Sequence, residues 1–182
     1  MKKMELKDVF AMRSWANNEH PLLASYDFWP REDYECRYWY SKKTELKSNE
    51  YFVYYYGEDC ISYVSMKRIS QRTRSAELGL VMDPKYQNQG LGHQILGDFL
   101  FYFFQTRGFQ KMTLKVDLFN QRAIHLYESM GFQKKRRTYT LFGEVERIPE
   151  ESRRDFIIFS GLALSKGMVM EVRACDFLKE KI

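Results

Sequence analysis

The run SAELGLVMDPKYQNQGLGHQILGDFLFYFFQTRG, Ser75 to Gly108, decides the fold. Ser75 to Met82 reads as a strand that Asp83-Pro84 stops, because proline cannot donate to a sheet ladder. Ile95, Phe99 and Phe103 then recur at i, i+4 and i+8, Leu96 and Leu100 widen the stripe, and Gly108 closes the helix. Between strand and helix lies Gln87-Asn88-Gln89-Gly90-Leu91-Gly92. A turn of this kind presents several N–H groups at a helix N-terminus, where the helix dipole adds partial positive charge. Gly90 and Gly92 let a ligand approach without a Cβ in the way. The spacing is neither GxxxxGK[ST] nor GxGxxG. Taken alone, the loop leaves two readings open, an anion site and a plain tight turn.

Downstream, Lys111 to Val116 reads as a strand, and Asn120 as the N-cap of a helix carrying Ala123, Ile124, Tyr127 and Met130 on one face. Gly131 ends that helix, and Phe132 makes the hydrophobic contact that follows such a terminus. Strands are expected at about Gln133 to Phe142 and Asp155 to Ser160, joined as a hairpin. Upstream, Leu6 to Asn17 has helical periodicity, and a second helix is expected from Pro30 to about Lys47. Tyr51 to Tyr56 and Ile61 to Ile69 form a hairpin around Gly57-Glu58-Asp59. This order predicts one α/β domain over 1–164, a mixed and mostly antiparallel sheet with helices on both faces. Residues 165–182 are expected to be an extension, helical near its end.

The chain has 182 residues and a net charge of +5, from 29 Lys plus Arg against 24 Asp plus Glu. That balance suits an anionic ligand and equally an ordinary surface. The run Lys134-Lys135-Arg136-Arg137 reads first as a solvated face and only second as a nucleic-acid patch. Cys36, Cys60 and Cys175 form no CxxC pair, and His20, His93 and His125 have no ligand spacing, so no metal is expected. No apolar run is long enough to span a bilayer. Charged residues follow Met1 where a signal peptide would have its apolar core. The expectation is a reduced cytoplasmic protein without membrane or nucleic-acid partners.

Ala76-Glu77-Leu78-Gly79-Leu80-Val81-Met82-Asp83-Pro84 followed by Gln87-x-x-Gly90-x-Gly92 resembles the acyl-CoA signature of the GNAT N-acetyltransferase superfamily. Asn120-x-x-Ala123-x-x-x-Tyr127-Glu128-x-x-Gly131-Phe132 resembles its second motif. Trp15-Ala16-Asn17-Asn18 is similar to the ribosomal-protein and polyamine branch. The resemblance implies acetyl-CoA as cosubstrate and an amine as acceptor. It puts the CoA pyrophosphate on the amides of Gln87, Asn88, Gln89, Gly90, Leu91 and Gly92, with His93 at the helix start. Leu80, Val81 and Met82 would bond the pantetheine arm as an added strand would. Asn120 would contact the arm, as an N-cap or as both. Tyr127 would protonate the departing thiolate, and is otherwise a core aromatic. The family's first strand is very short or missing here.

An amine acceptor is mostly an ammonium ion, with a pKa near ~10.4, so attack needs proton removal. Glu77 alternates with Gly79 and Val81 on the cleft strand and is the candidate base, or otherwise a structural ion pair. Some family members carry a glutamate that acts as general base where this chain has Lys115, so water leading to Glu77 or another carboxylate replaces it. The acceptor walls are expected at Asn18 to Pro30, with Tyr26, Phe28 and Trp29, and at Phe142 to Arg154, with Glu144, Glu146, Glu150 and Glu151. They suit a polyamine, an aminoglycoside-like amine or a protein N-terminus; the glutamates otherwise simply face solvent. A non-catalytic acyl-CoA sensor or scaffold of the same fold is the alternative, and a homodimer is compatible with either.

Overall fold

A computed structural model describes residues 1–143 and 145–179 of the chain; Glu144 lies outside the described residues. Its centre is an eight-stranded sheet in the order β1-β2-β3-β4-β5-β8-β6. The strands are β1 (Lys2–Lys3), β2 (Glu50–Tyr56), β3 (Asp59–Ser70), β4 (Ser75–Met82), β5 (Lys111–Asp117), β6 (Gln133–Leu141), β7 (Phe156–Phe159) and β8 (Leu162–Arg173). Only β4 and β5 run parallel; every other pairing is antiparallel. The first strand exists, as two residues pairing with Phe52 and Val53.

Alternation along β2 gives the sheet two cores. Phe52 and Tyr54 join the stripe Ile95, Leu96, Phe99, Leu100 and Phe103 of α3 (Leu91–Phe101) and its π-helical continuation, Tyr102–Thr106. α4 (Gln121–Ser129) adds Ile124 and Tyr127 to that core, and α5 (Ala174–Lys179) adds Phe177. Tyr51 and Val53 point the other way, into α1 (Leu6–Ala11) and α2 (Asp33–Thr44) through Val9, Cys36 and Trp39. Helices therefore cover both faces, and each large apolar side chain so buried contributes ~1.5–3 kcal/mol.

Local chemistry moved several boundaries. α1 stops at Ala11 and gives way to a 3-10 turn over Met12–Ser14. Trp15 then becomes extended, and its indole N–H donates to Cys60 O. α2 starts at Asp33 and not at Pro30, because the Glu35 carboxylate accepts the N–H groups of Arg31 and Glu32 and caps the helix there.

Two expectations fail more deeply. β6 and β7 do not form a hairpin with each other; both pair with β8. β7 and β8 are instead joined by Ser160-Gly161, both with positive φ, as a two-residue hairpin turn requires. The expected division at 164/165 falls inside β8, which is inserted between β5 and β6. Only its continuation, α5, is the expected helix near the end. Within β8, a Cβ on Gly167 would lie 2.8 Å from Val116 O, so the close approach of β5 demands glycine.

Candidate functional site

β4 and β5 pair over just three residues, Ser75↔Lys111, Ala76↔Met112 and Glu77↔Thr113. Beyond Glu77 the two strands part. β4 continues five residues to Met82 with β3 as its partner, and β5 continues to Asp117 with β8 as its partner. Asp83 N–H donates to Ile61 O at 2.9 Å, which assigns Val81 and Gly79 to the bonding positions toward β3. By alternation the main-chain groups of Leu80 and Met82 face the gap. Met82 O already accepts the Gln87 side-chain amide at 3.3 Å. The gap is thus a free strand edge on each side, open to an amide-bearing chain.

At the open end the strand turns through a 3-10 helix, Pro84–Tyr86, capped by the buried Asp83 carboxylate. The Gln87 N–H is used there, donating to Pro84 O at 3.2 Å. Asn88 and Gly90 have φ of 60° and 77°. His93 and Gln94 N–H donate back to Gly90 O, while the amides of Asn88, Gln89, Gly90, Leu91 and Gly92 have no acceptor among the described residues. Unmated amides at the start of α3 form an anion-binding concavity. A Cβ on Gly90 would meet nothing, so its glycine serves the left-handed backbone; one on Gly92 would lie 3.6 Å from Leu126, where α3 packs on α4. His93 is exposed at the helix start. The Arg122 guanidinium, on the first turn of α4, donates to Gln87 Oε1 and adds a cation beside the loop.

Asn120 caps α4 by accepting Ala123 N–H at 3.2 Å. Tyr127 lies two turns further on, 8% exposed and against Phe132. Burial pushes its phenol up to about 12. Glu77 sits at the closed end of the gap and holds Arg68 at 2.6 Å. Lys115 is exposed on β5.

The two expected acceptor walls meet. Leu22, from the 3-10 segment Pro21–Tyr26, packs with Ile148, Phe156 and Ala163. Phe28 is core, against Trp15 and Trp39, and leaves Trp29 as the exposed aromatic. Glu150 pairs with Arg153, and Glu146 and Glu151 face solvent.

Sequence reasoning passed over Asp117, the last residue of β5. Its carboxylate accepts the Tyr26 hydroxyl at 3.1 Å and the Ser165 hydroxyl at 2.7 Å. Burial and then Asp117 raise the Tyr26 phenol above its usual value. The available signal was alternation, since Thr113, Lys115 and Asp117 share one face of β5. Partners 91 and 48 residues away were not legible.

Among the described residues no cluster of three or more His, Cys, Asp or Glu is arranged to hold a metal, and no helix is long and apolar enough to cross a membrane.

Against known proteins, the profile of the acetyltransferase (GNAT) family matches residues 9–132. Spermidine N(1)-acetyltransferase of Escherichia coli K12 is 26% identical over 136 residues, 72% of this chain and 71% of that protein. The ribosomal protein bS18-alanine N-acetyltransferase of the same organism is 42% identical over 55 residues, 30% of this chain and 36% of that protein. A solved point mutant of the Vibrio cholerae spermidine N-acetyltransferase superposes with a TM-score of 0.68 at 20% identity, covering 100% of this chain and 98% of its own. These structural likenesses concern the fold.

Proposed function

The chain belongs to the acetyltransferase (GNAT) family, and from that membership we propose that it transfers the acetyl group of acetyl-CoA directly to a primary amine while donor and acceptor are bound together. It is an N-acetyltransferase, and enzymes of this family use acetyl-CoA as donor. The observation that carries the reading is the gap between β4 and β5 opening beside five unmated amides. Amides Asn88 to Gly92 would hold the pyrophosphate, and the free edge at Leu80 to Met82 would hold pantetheine, with Asn120 and Arg122 alongside. The names of the relatives support two kinds of acceptor, a polyamine and a protein amino terminus; a small aminoglycoside-like amine is a third.

In the proposed step the amine loses its proton, through water, to Glu77, whose ion pair with Arg68 must first open. The nitrogen lone pair attacks the thioester carbon, the N–C bond forms, the C–S bond breaks with its electron pair on sulfur, and the second nitrogen proton leaves to water, which restores any proton that Tyr127 gives up. Tyr127 supplies a proton, or a hydrogen bond, to that sulfur. A phenol near 12 holds its proton more tightly than a thiol of ordinary pKa ~8.5 would. Its service in water would be poor. The same burial that raises the phenol also raises the proton affinity of the leaving thiolate, which brings the two closer.

Acceptor-dependent thiol release from acetyl-CoA across a panel of amines tests the reading. Tight CoA binding with no thiol release from any amine would leave a CoA-binding sensor or scaffold.

A further inference from the structure

On the sheet face that carries Glu77, a cavity of about 390 Å³ opens where β4 and β5 begin to part. Arg68, Lys111, Lys115, Lys135 and Arg136 line it, against only Glu77 and Glu171. Both carboxylates are already matched. Glu77 holds Arg68 at 2.6 Å, and Glu171 holds Arg173 at 3.0 Å and Lys111 at 3.9 Å. Lys115 and Arg136 have no carboxylate partner among the described residues, and Lys135 reaches only the Gln133 side chain.

Strand register explains the cluster. Lys115 pairs with Val169, and Val169 with Arg136, so the two cations flank one valine on a single face. Consecutive residues of a strand normally face opposite ways. Lys135 and Arg136 both reach the cavity because the register slips between Lys134 and Arg136, an extra residue that re-aims side chains. Across the gap, the Lys67 ammonium lies 3.2 Å from where a Cβ on Gly79 would be. Lys43 of α2 is within electrostatic reach of Lys67. Cations therefore stand on both lips of the gap at the level where the strands separate.

Resting on the transferase reading, we propose that this face recognises carboxylates of the acceptor, and that the acceptor is a peptide amino terminus followed within a few residues by acidic side chains. Like charge disfavours a free polyamine here, and carboxylates complete a row of cations that the fold leaves unmatched. Lys115 and Arg136 are the specificity determinants.

Three peptides with one amino-terminal residue, carrying aspartates, glutamines or lysines at positions two to four, are compared with spermidine by acetyl-CoA thiol release. Binding of each peptide by fluorescence anisotropy in the presence of CoA is measured in parallel. The acidic peptide should exceed the glutamine peptide by about tenfold in kcat/KM, since several exposed ion pairs each contribute a few-fold. That margin should shrink as salt rises. Lys115→Glu/Arg136→Glu should abolish the margin and favour the lysine peptide; both side chains are exposed, so the core is untouched. Equal or better use of spermidine or of the lysine peptide by the unmodified enzyme overturns the proposal. So does a margin that survives the double substitution. If neither spermidine nor any peptide is acetylated but the acidic peptide binds in a Lys115- and Arg136-dependent way, the anion site stands and the transferase reading falls. If the acidic peptide neither binds nor reacts better than the glutamine peptide, the anion site falls.

Discussion

Glu77 and Thr113 face each other as the last register pair between β4 and β5. On the far side of it lie Gly79 and Lys115, on the same face but without a ladder between their strands. The five residues of β4 beyond it keep β3 on one side and have no strand partner on the side of β5.

Gly90→Glu should abolish CoA binding. The Cβ has room, so the loss comes from a carboxylate set against phosphate at the amide cluster. Gly90→Ala is the control: a left-handed backbone at φ 77° costs an alanine ~1–2 kcal/mol and leaves binding measurable. Calorimetric titration with CoA checks both, and unchanged affinity in the glutamate variant would remove the loop from the site.

Tyr127→Phe keeps the ring that packs on Phe132 and removes only the hydroxyl. We expect kcat to fall about a hundredfold while the affinity for acetyl-CoA is largely spared. A wild-type rate would return Tyr127 to a purely packing role.

Glu77→Gln should lower kcat and kcat/KM together by about a hundredfold, because it removes the proposed base and leaves the fold in place. Asp117→Asn should instead raise the acceptor KM, since Asp117 holds Tyr26 on the acceptor wall. If kcat falls in the Asp117 variant and not in the Glu77 variant, the base is Asp117.

Asp8, in the first turn of α1, is fully buried. Burial alone would raise its carboxyl, but hydrogen bonds from Lys2, Glu5 N–H and Tyr55 outweigh it and hold the group below its ordinary 3.8. A depressed folded value means that ionised Asp8 favours the fold above pH ~4, and that the contribution is lost as pH falls through the folded value. Asp8→Asn should therefore cost about 1–3 kcal/mol near neutrality. Urea unfolding of the two proteins should converge as pH is lowered from 5 toward 2; a gap independent of pH would refute it.

How far the sequence reached depends on how local each feature is. The strand Ser75 to Met82, the glycine loop, the stripe of α3 and the cap at Asn120 follow from periodicity and turn chemistry within a few residues, and the sequence alone determined them. It also determined the sheet's mixed character, because hairpins and one strand–helix–strand crossover leave few arrangements. What only the tertiary structure decided was long-range. The place of β8 depends on β5 and β6 on either side of it, and on the close approach of Gly167 to Val116 O. The parting of β4 from β5, the bulge that turns Lys135 and Arg136 together, and the Tyr26–Asp117 contact depend on register. Register is set by partners distant in the chain, and backbone preference near a residue carries no information about which strand will lie beside it.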